Sequence, residues 1–317
     1  MLKYVLPTLA VATMALGGYM VVRPALVQPP MPPPAIYSLG DIIPKAQVPD
    51  SFCYAVIGDY GDNSLGEDSV ARMVKGWNPS FIVTTGDNDY EDKHPGTLNN
   101  IDTMVVKYYG SFIKANAHQD RFFPCLGNHD QDLASVESEY FALFPFLHSH
   151  PDYDFSWGPL HFYSLNSGPS RPNGFIDSNI LTALKGSLLT APETYHIVFF
   201  HHPPYAPGKY GAKELKGKFD NDKVDLVLNG HIHYYERMVD ARTHINYITI
   251  GNGGRNDVTC SGDSVNGYQP TSRCTCKDGS HGALKVIVVK TRAIWQMRFE
   301  YYIVADQSAP GDVLILP

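Results

Sequence analysis

The chain has 317 residues, 44% of them hydrophobic, and a formal net charge of −7 at pH 7. This length is sufficient for one large domain, so two smaller domains are not required. Nucleic-acid binders usually present a basic face, so the acidic balance argues against a nucleic-acid partner. Any phosphate group that binds here is therefore expected to be held by local charges.

The first residues are typical of an export signal. Lys3 is followed by an uncharged run from Tyr4 to Val22, which Arg23 closes. This run is longer than an ordinary signal-peptide core and long enough to span a bilayer, and its candidate cleavage positions are weak. We predict that residues 1–23 are a signal peptide or an uncleaved signal anchor. The protein is then extracytoplasmic, either secreted or held by a single N-terminal membrane anchor.

A proline-rich stretch follows, with the sequence PALVQPPMPPP. Such a composition favours extended polyproline II structure, which acts as a spacer. The sequence therefore predicts a linker over residues 24–49 and a folded domain over residues 50–317.

Alternating strands and helices are predicted from residue 51 onward. The run FCYAVI, a helix from Leu65 to Gly76 with Met73 and Val74 facing the core, and the run FIVTT predict a βαβ unit with parallel strands. The region from Tyr108 to Phe146 is aromatic-rich and expected to be partly helical. Further strands follow, and the last two runs, LKVIVV and AIWQMRFEYYIV, predict an antiparallel hairpin. The predicted fold class is α/β, with two packed mixed β-sheets flanked by helices.

Several of the predicted strands end in residues that bind metals. The runs are FCYAVI before Gly58-Asp59, FIVTT before Gly86-Asp87, RFFPCL before Gly127-Asn128-His129, YHIVFF before His201-His202, and VDLVL before Asn229-Gly230-His231-x-His233. Each motif alone is more often an ordinary polar turn than a metal site. Their occurrence in series, each after a strand, predicts one site at the carboxyl ends of the strands. With the phenol of Tyr90, three residues after Asp87, the carboxylates, amide and imidazoles exceed the needs of one metal. Two metals that share a carboxylate would use them all.

Cysteine usage gives a further prediction. The chain has five cysteines, an odd count, so at least one is not paired within the chain. Cys53 and Cys125 lie in apolar runs and are expected to be buried. Cys260 is expected to form a disulfide with Cys274 or Cys276; a zinc site is the weaker alternative, because it lacks a clear fourth ligand.

These motifs resemble the five sequence blocks of the purple acid phosphatases within the calcineurin-like metallophosphoesterases, over about residues 51 to 255. In its short length, without a large N-terminal β domain, the chain resembles the tartrate-resistant acid phosphatases and small bacterial relatives more than the plant enzymes. Position by position, the residues that resemble the family's ferric-site ligands are Asp59, Asp87, Tyr90 and His233. Those that resemble the ligands of its divalent ion (Fe, Zn or Mn) are Asp87, Asn128, His201 and His231, and the resemblance implies that Asp87 bridges the two ions. His129 resembles the histidine that meets the phosphate or its leaving group, and His202 is expected to be structural.

The resemblance implies a binuclear-metal phosphomonoesterase that acts on small phosphorylated substrates, with residues 50–317 as its catalytic domain. Two cations about 3.5–4 Å apart lower the pKa of bound water, so hydroxide attacks phosphorus in line and no side-chain nucleophile is needed. A metallophosphodiesterase or nucleotide phosphohydrolase on the same scaffold is the alternative, and a binding module without turnover is the third. The chain departs from the tartrate-resistant type at Tyr210, where that type has a histidine.

Overall fold

The computed structural model describes residues 35–90, 100–168, 174–206, 211–219, 223–240, 242–257, 270–272 and 280–317. The predicted export segment, Tyr210 and the three cysteines from Cys260 to Cys276 lie outside these residues, so what the sequence indicates about them remains a prediction. Within the described residues, no helix has the length and apolar character needed to cross a membrane.

The structure contains two β-sheets and several short helices. The strands are β1 (Tyr37–Ile43), β2 (Ser51–Ile57), β3 (Ile82–Thr84), β4 (Phe122–Pro124), β5 (Tyr153–Trp157), β6 (Leu160–Ser164), β7 (Tyr195–Phe199), β8 (Leu226–Asn229), β9 (Tyr235–Val239), β10 (Asn246–Ile250), β11 (Pro270–Ser272), β12 (Gly282–Thr291), β13 (Ile294–Ile303) and β14 (Asp312–Leu316). The α-helices are α1 (Leu65–Gly76), α2 (Lys107–Tyr109), α3 (His129–Asp132), α4 (Ala134–Leu143) and α5 (Ser178–Thr190). A π-helical turn, Asp102–Val106, precedes α2.

Both sheets are mixed, as the sequence predicts. The six-stranded sheet has the order β14-β13-β12-β2-β3-β4, and the eight-stranded sheet has the order β1-β5-β6-β7-β8-β10-β9-β11. Strands β2, β3 and β4 are mutually parallel, and the predicted hairpin β12–β13 is antiparallel. In the larger sheet, β6, β7, β8 and β10 are parallel neighbours. The carboxyl ends of each parallel set therefore meet at one edge of its sheet.

Aromatic side chains of the two sheets pack against one another to form the main core. Phe123 of β4 stacks on Phe155 of β5 at a centroid distance of 4.0 Å, and Tyr54 of β2 meets the edge of Phe162 of β6 at 5.5 Å. These rings are fully buried. Aromatic pairs of this kind add about 0.5–1.5 kcal/mol beyond the burial of their surface. The stacking fixes one sheet on the other and so fixes the relative position of their edges.

Helix α1 has the bounds predicted from the sequence, and its start has a clear cause. The hydroxyl of Ser64 accepts a hydrogen bond from the backbone N–H of Glu67 at 3.1 Å, which is an N-cap. Met73 and Val74 are buried, as expected. The helix connects β2 to β3 and returns the chain to the same edge of the sheet.

Two predictions from the sequence need correction. The linker predicted over residues 24–49 includes β1, which pairs in parallel with β5, so the folded domain begins before residue 50. The proline-rich composition ends at Pro34, and YSLGDII alternates in a way that suits an edge strand. Cys53 is half-buried rather than buried, because it faces the outer side of β2, where its thiol lies 3.6 Å from the carbonyl of Trp77. Cys125 is buried as predicted.

Candidate metal centre

The predicted site residues converge at the carboxyl ends of the parallel strands. Asp59 and Asp87 follow β2 and β3, while Asn128 and His129 follow β4. From the other sheet, His201 follows β7, and the turn with His231 and His233 follows β8. The two sheets thus contribute to a single site, which the spacing of the motifs predicts.

One group of donors gathers around the hydroxyl of Tyr90. Its oxygen lies 2.9 Å from Oδ2 of Asp87, 3.3 Å from Oδ1 of Asp59 and 3.3 Å from Nε2 of His233. Asp59, Asp87 and His233 each offer one ligand atom, and these atoms all lie within 4.8 Å of one another. A cation placed between them would be held by carboxylate, phenol and imidazole donors.

A second group of donors forms around the other oxygen of Asp87. Nε2 of His201 lies 3.3 Å from Oδ1 of Asp87 and 3.2 Å from Oδ1 of Asn128. Nδ1 of His201 faces the carbonyl oxygen of Thr85 at 2.8 Å, which orients Nε2 towards the carboxylate. The imidazole of His231 packs at the edge of His201, with ring centroids 5.0 Å apart. Asp87 therefore faces both groups, with a different oxygen toward each.

The loops that carry these residues follow an unusual backbone path. Asp59, Asp87 and His231 have φ angles of 51°, 53° and 69°, in the left-handed region that L-residues rarely adopt. Gly86 has a φ angle of 91°, and a Cβ there would lie 2.7 Å from Nδ1 of His201. Such strain is typical of functional sites, where the surrounding contacts must hold it.

Two further histidines, His129 and His202, lie beside the donor groups and differ in what they touch. The ring of His129 lies on Tyr90 at a centroid distance of 4.3 Å, and its backbone N–H donates to Oδ1 of Asp87 at 3.0 Å. Nδ1 of His202 and the hydroxyl of Ser167 are 2.8 Å apart, which fits its predicted structural role. His202 also stacks near His231, with centroids 4.4 Å apart.

Electrostatics separate the imidazoles. Burial alone lowers the pKa of His201, but the carboxylates of Asp87 and Asp59 outweigh it and raise the pKa to about 9. Burial and the neighbouring His201 lower the pKa of His231 to about 3. His201 must therefore lose a proton before it can ligate a cation, whereas His231 is already neutral at pH 7. Cation binding at this site should weaken as the pH falls.

The pKa values of the two carboxylates, Asp59 and Asp87, are also shifted in opposite directions. Burial raises the pKa of Asp59, although His201 and His233 oppose it. For Asp87 burial is outweighed by His201 and His129, and its pKa lies well below the ordinary value. Burial, together with Asp87 and Asp59, raises the pKa of the Tyr90 phenol well above its usual range. Asp87 is accordingly the anionic centre of the site.

Sequence reasoning missed two residues beside the site, Arg255 and Asp257. Asp257 contacts Nδ1 of His233 through its Oδ1 atom, and the guanidinium carbon of Arg255 lies 5.1 Å from the centre of the Tyr90 ring. Both belong to the loop after β10, which runs parallel to β8. The available signal was the run Arg255-Asn256-Asp257, which follows a predicted strand after the short glycine-rich stretch Gly251 to Gly254.

A family model for calcineurin-like phosphoesterases matches residues 54–235, more than half of the chain. The chain belongs to the calcineurin-like phosphoesterase family. It is accordingly a hydrolase of phosphoric ester bonds, and its predicted resemblance to the purple acid phosphatases is confirmed by the relatives that follow.

Two plant proteins illustrate this likeness. Purple acid phosphatase 17 of Arabidopsis thaliana is 26% identical over 250 residues, which span 67% of this chain and 71% of that protein. Purple acid phosphatase 1 of Ipomoea batatas is 27% identical over 261 residues, or 68% of this chain and 53% of that protein.

Two solved structures share the fold. Purple acid phosphatase PPD1 from yellow lupin seeds superposes with a TM-score of 0.62 at 13% identity, covering 86% of this chain and 54% of that one. GAP50, described as the anchor in the inner membrane complex of Plasmodium, superposes with a TM-score of 0.60 at 16% identity, covering 84% and 89%. At these identities the likeness is one of fold alone, and it agrees with the predicted two-sheet architecture.

Proposed function

We propose that this phosphoesterase is a binuclear-metal phosphomonoesterase of the acid phosphatase type. The observation that carries the proposal is the position of Asp87. Its Oδ2 atom lies 2.9 Å from the Tyr90 hydroxyl, and its Oδ1 atom lies 3.3 Å from Nε2 of His201. One carboxylate that faces two separate donor groups is what a bridging ligand requires.

The donor chemistry fits two different cations. Asp59, Tyr90 and the Oδ2 side of Asp87 offer hard oxygen donors together with His233, which suits a ferric ion. Asn128, His201 and His231 offer a mixed oxygen and nitrogen set beside the Oδ1 side of Asp87, which suits divalent iron, zinc or manganese. When bound, the two cations supply positive charge for the phosphoryl oxygens and lower the pKa of water to near neutrality.

Burial and backbone hydrogen bonds hold the proposed ligands in this arrangement. All of the proposed ligands except His231 and His233 are essentially inaccessible to solvent, so their charges act in a medium of low polarity. The backbone N–H groups of His129 and His231 donate to Asp87 and Asp59 at 3.0 and 2.8 Å, which orients both carboxylates. A side-chain nucleophile is not needed, because water supplies the attacking oxygen.

His129 is the residue we propose for contact with the substrate. His129 is 7% exposed, and its side chain lies at the rim of the donor groups, against the Tyr90 ring. Its Nδ1 atom lies 3.8 Å from Oδ2 of Asp132 one turn later, so Nε2 is the ring nitrogen that we propose for contact with an ester oxygen. General-acid or hydrogen-bond assistance of this kind contributes typically 10²–10⁴-fold to a rate.

The substrates we propose are small phosphorylated molecules. The net charge of −7 gives the surface no general attraction for polyanions, so recognition falls to the cations and His129. We further propose that the protein acts outside the cytoplasm, secreted or membrane-anchored, on the strength of the uncharged run Tyr4 to Val22. Fractionation that finds the full-length chain soluble in the cytoplasm would contradict the location.

Hydrolysis of p-nitrophenyl phosphate beside bis(p-nitrophenyl) phosphate tests the activity. For the metal-loaded protein we expect kcat/KM for the monoester to be the larger. A preference for the bis-ester would favour a phosphodiesterase, and no turnover of either ester would favour a binding module. His129→Ala should lower kcat by about 10²-fold or more, whereas His118→Ala, at an exposed surface position, should leave it unchanged.

A further inference from the structure

Backbone hydrogen bonds join the loop after β10 to the loop that carries Asp59. The N–H groups of Gly254 and Arg255 both donate to the carbonyl oxygen of Asp59, at 3.1 and 3.0 Å. Position 254 has no room for a side chain, because a Cβ there would lie 2.9 Å from the carbonyl carbon of Tyr60. The position of Arg255 is therefore fixed relative to Asp59, independently of its side chain.

The side chain of Arg255 covers one face of the Tyr90 ring. The guanidinium carbon lies 5.1 Å from the ring centroid, within the range of a cation–π contact. Tyr90 is fully buried, while the Arg255 side chain is 25% exposed. A cation at this position interacts more strongly with a phenolate than with a neutral phenol, since the ring then carries negative charge.

Two carboxylates hold the guanidinium in place. Nη2 of Arg255 lies 3.4 Å from Oδ2 of Asp257, and Nη1 lies 3.9 Å from Oδ2 of Asp62. The other oxygen of Asp257 contacts Nδ1 of His233. Arg255 thus lies on the ring of Tyr90 and is joined through Asp257 to His233, two side chains in the same group of donors.

We propose that Arg255 is a positioning residue that sets the electron donation of Tyr90 to the metal ion, and that Asp257 couples this residue to His233. The inference rests on the proposed function only in taking Tyr90 as a ligand. Arg255 does not contact the reacting atoms. Its effect is electrostatic, on the phenolate, and geometric, on two ligands at once.

The sign of the effect follows from distance. The guanidinium lies on the ring itself, whereas a cation held by Tyr90 would lie beyond the hydroxyl, so Arg255 stabilises the filled phenolate orbitals more than the acceptor orbitals of a ferric ion. Its presence should raise the energy of the phenolate-to-iron charge transfer. Its removal should move the absorption band to longer wavelength and lower the reduction potential of the iron.

Arg255→Gln and Arg255→Lys, reconstituted from the apo-protein with ferric iron and zinc, test the inference. We expect Arg255→Gln to absorb at longer wavelength than the parent. Arg255→Lys should shift less in the same direction, because an ammonium keeps the charge but cannot stack as a planar guanidinium does. Arg298→Gln is the matched control, since Arg298 pairs at 2.6 Å with Glu300 of the same strand, β13 in the six-stranded sheet, and it should leave the band unchanged.

Asp257→Asn probes the second half of the inference. It removes the charge that joins Arg255 to His233, and we expect weaker retention of the ferric ion against a chelator, with the band shifted from that of the parent. Circular dichroism and a melting curve on each variant establish that it is folded. Should Arg255→Gln fail to fold, Arg255→Lys decides the matter.

An unchanged band in folded Arg255→Gln would overturn the inference. Where only Arg255→Lys folds, an unchanged band in that variant would overturn it. So would ferric protein that shows no phenolate band at all. Activity on p-nitrophenyl phosphate is scored separately. If the parent protein shows no turnover but the band shifts in the Arg255 variants, the proposed function is contradicted and this inference stands. If the parent shows turnover but the band does not shift in the variants, this inference is contradicted and the proposed function stands.

Discussion

The imidazole of His201 and the carboxylate of Asp87 lie in direct contact, with Nε2 3.3 Å from Oδ1, although they belong to loops of different sheets. The contact is fully buried. It holds the edge of one sheet on the edge of the other at the point where the donor groups meet. The two residues that we propose as metal ligands therefore also join the two sheets.

Gly86→Ala should damage the site through the backbone. A Cβ there would lie 2.7 Å from Nδ1 of His201, at a φ angle of 91° that alanine rarely adopts. We expect a loss of more than about 1–3 kcal/mol in the free energy of unfolding and a lower metal content. Gly186→Ala in α5 is the control, since a Cβ there meets nothing within 4 Å, and it should stabilise the protein by about 0.5–1 kcal/mol. Denaturant unfolding measures both, and equal effects would contradict the prediction.

His161 and Glu193 should make stability depend on pH away from the metal centre. Nδ1 of His161 lies 3.1 Å from Oε2 of Glu193, and Nε2 lies 3.5 Å from Oδ1 of Asp154. Burial alone lowers the pKa of His161, but the two carboxylates raise it above its ordinary value of 6.5; the pKa of Glu193 is lowered from 4.5, since Ser156 and His161 outweigh burial.

The His161 contribution is complete below pH 6.5 and is lost as the pH rises through its folded pKa. The Glu193 contribution is complete above pH 4.5 and is lost as the pH falls through its folded pKa. Glu193→Gln should therefore cost about 1.5–3 kcal/mol near pH 5.5 and less at pH 9. Melting temperatures across this range measure the difference, with Glu214→Gln, at an exposed position, as the control. A cost independent of pH would refute the assignment.

Tyr90→Phe should bleach the protein before it abolishes hydrolysis. A phenolate bound to ferric iron gives a visible charge-transfer band, and phenylalanine cannot ligate. The oxygens of Asp59 and Asp87 and the imidazole of His233 remain within 4.8 Å of one another to hold the cation. Visible absorption and turnover are measured on the same sample. A colourless parent with two zinc ions and full activity would rule out the ferric assignment.

Tyr210, outside the described residues, supports a prediction about pH. A phenol with an ordinary pKa near 10 cannot replace a histidine that titrates near 6.5, although Lys209 can supply positive charge. We predict an optimum closer to neutral than the family name suggests, with His129 the only histidine outside the metal ligands that strongly affects the rate. Tyr210→His should change the pH profile of kcat. An unchanged profile, with a parent optimum already well below pH 6, would show this to be wrong.

The strand ends could be predicted from the sequence because each combines a short apolar run with a ligand residue, and four of the five also have a glycine between the two. Asp59 and Asp87 were assigned to one edge on the basis of a βαβ unit, and the structure places them there. The buried face of helix α1 was predictable from Met73 and Val74, and the structure adds Ser64 as its N-cap.

Other features depend on contacts between distant segments. The alternation of strand β1 suits an edge strand, but Ser38, Gly40 and Asp41 give no local signal for its partner β5. Strand β9 contains Glu236 and Arg237, and Arg237 is satisfied by Asp312 in β14, 75 residues away. The contact of Arg255 with Tyr90 likewise exists only once β10 lies beside β8.

The number of metal ions needed for turnover tests the central claim most directly. Apo-protein would be titrated with ferric iron and zinc, and p-nitrophenyl phosphate hydrolysis and bound metal would be measured at each addition, with Asp87→Asn as the matched variant. We predict that activity in the parent rises until two ions are bound per chain, and that Asp87→Asn loses more than about 100-fold, since even residues that only orient metal ligands contribute 10–100-fold. Full activity with one ion bound, or an active Asp87→Asn protein, would contradict a binuclear site bridged by Asp87.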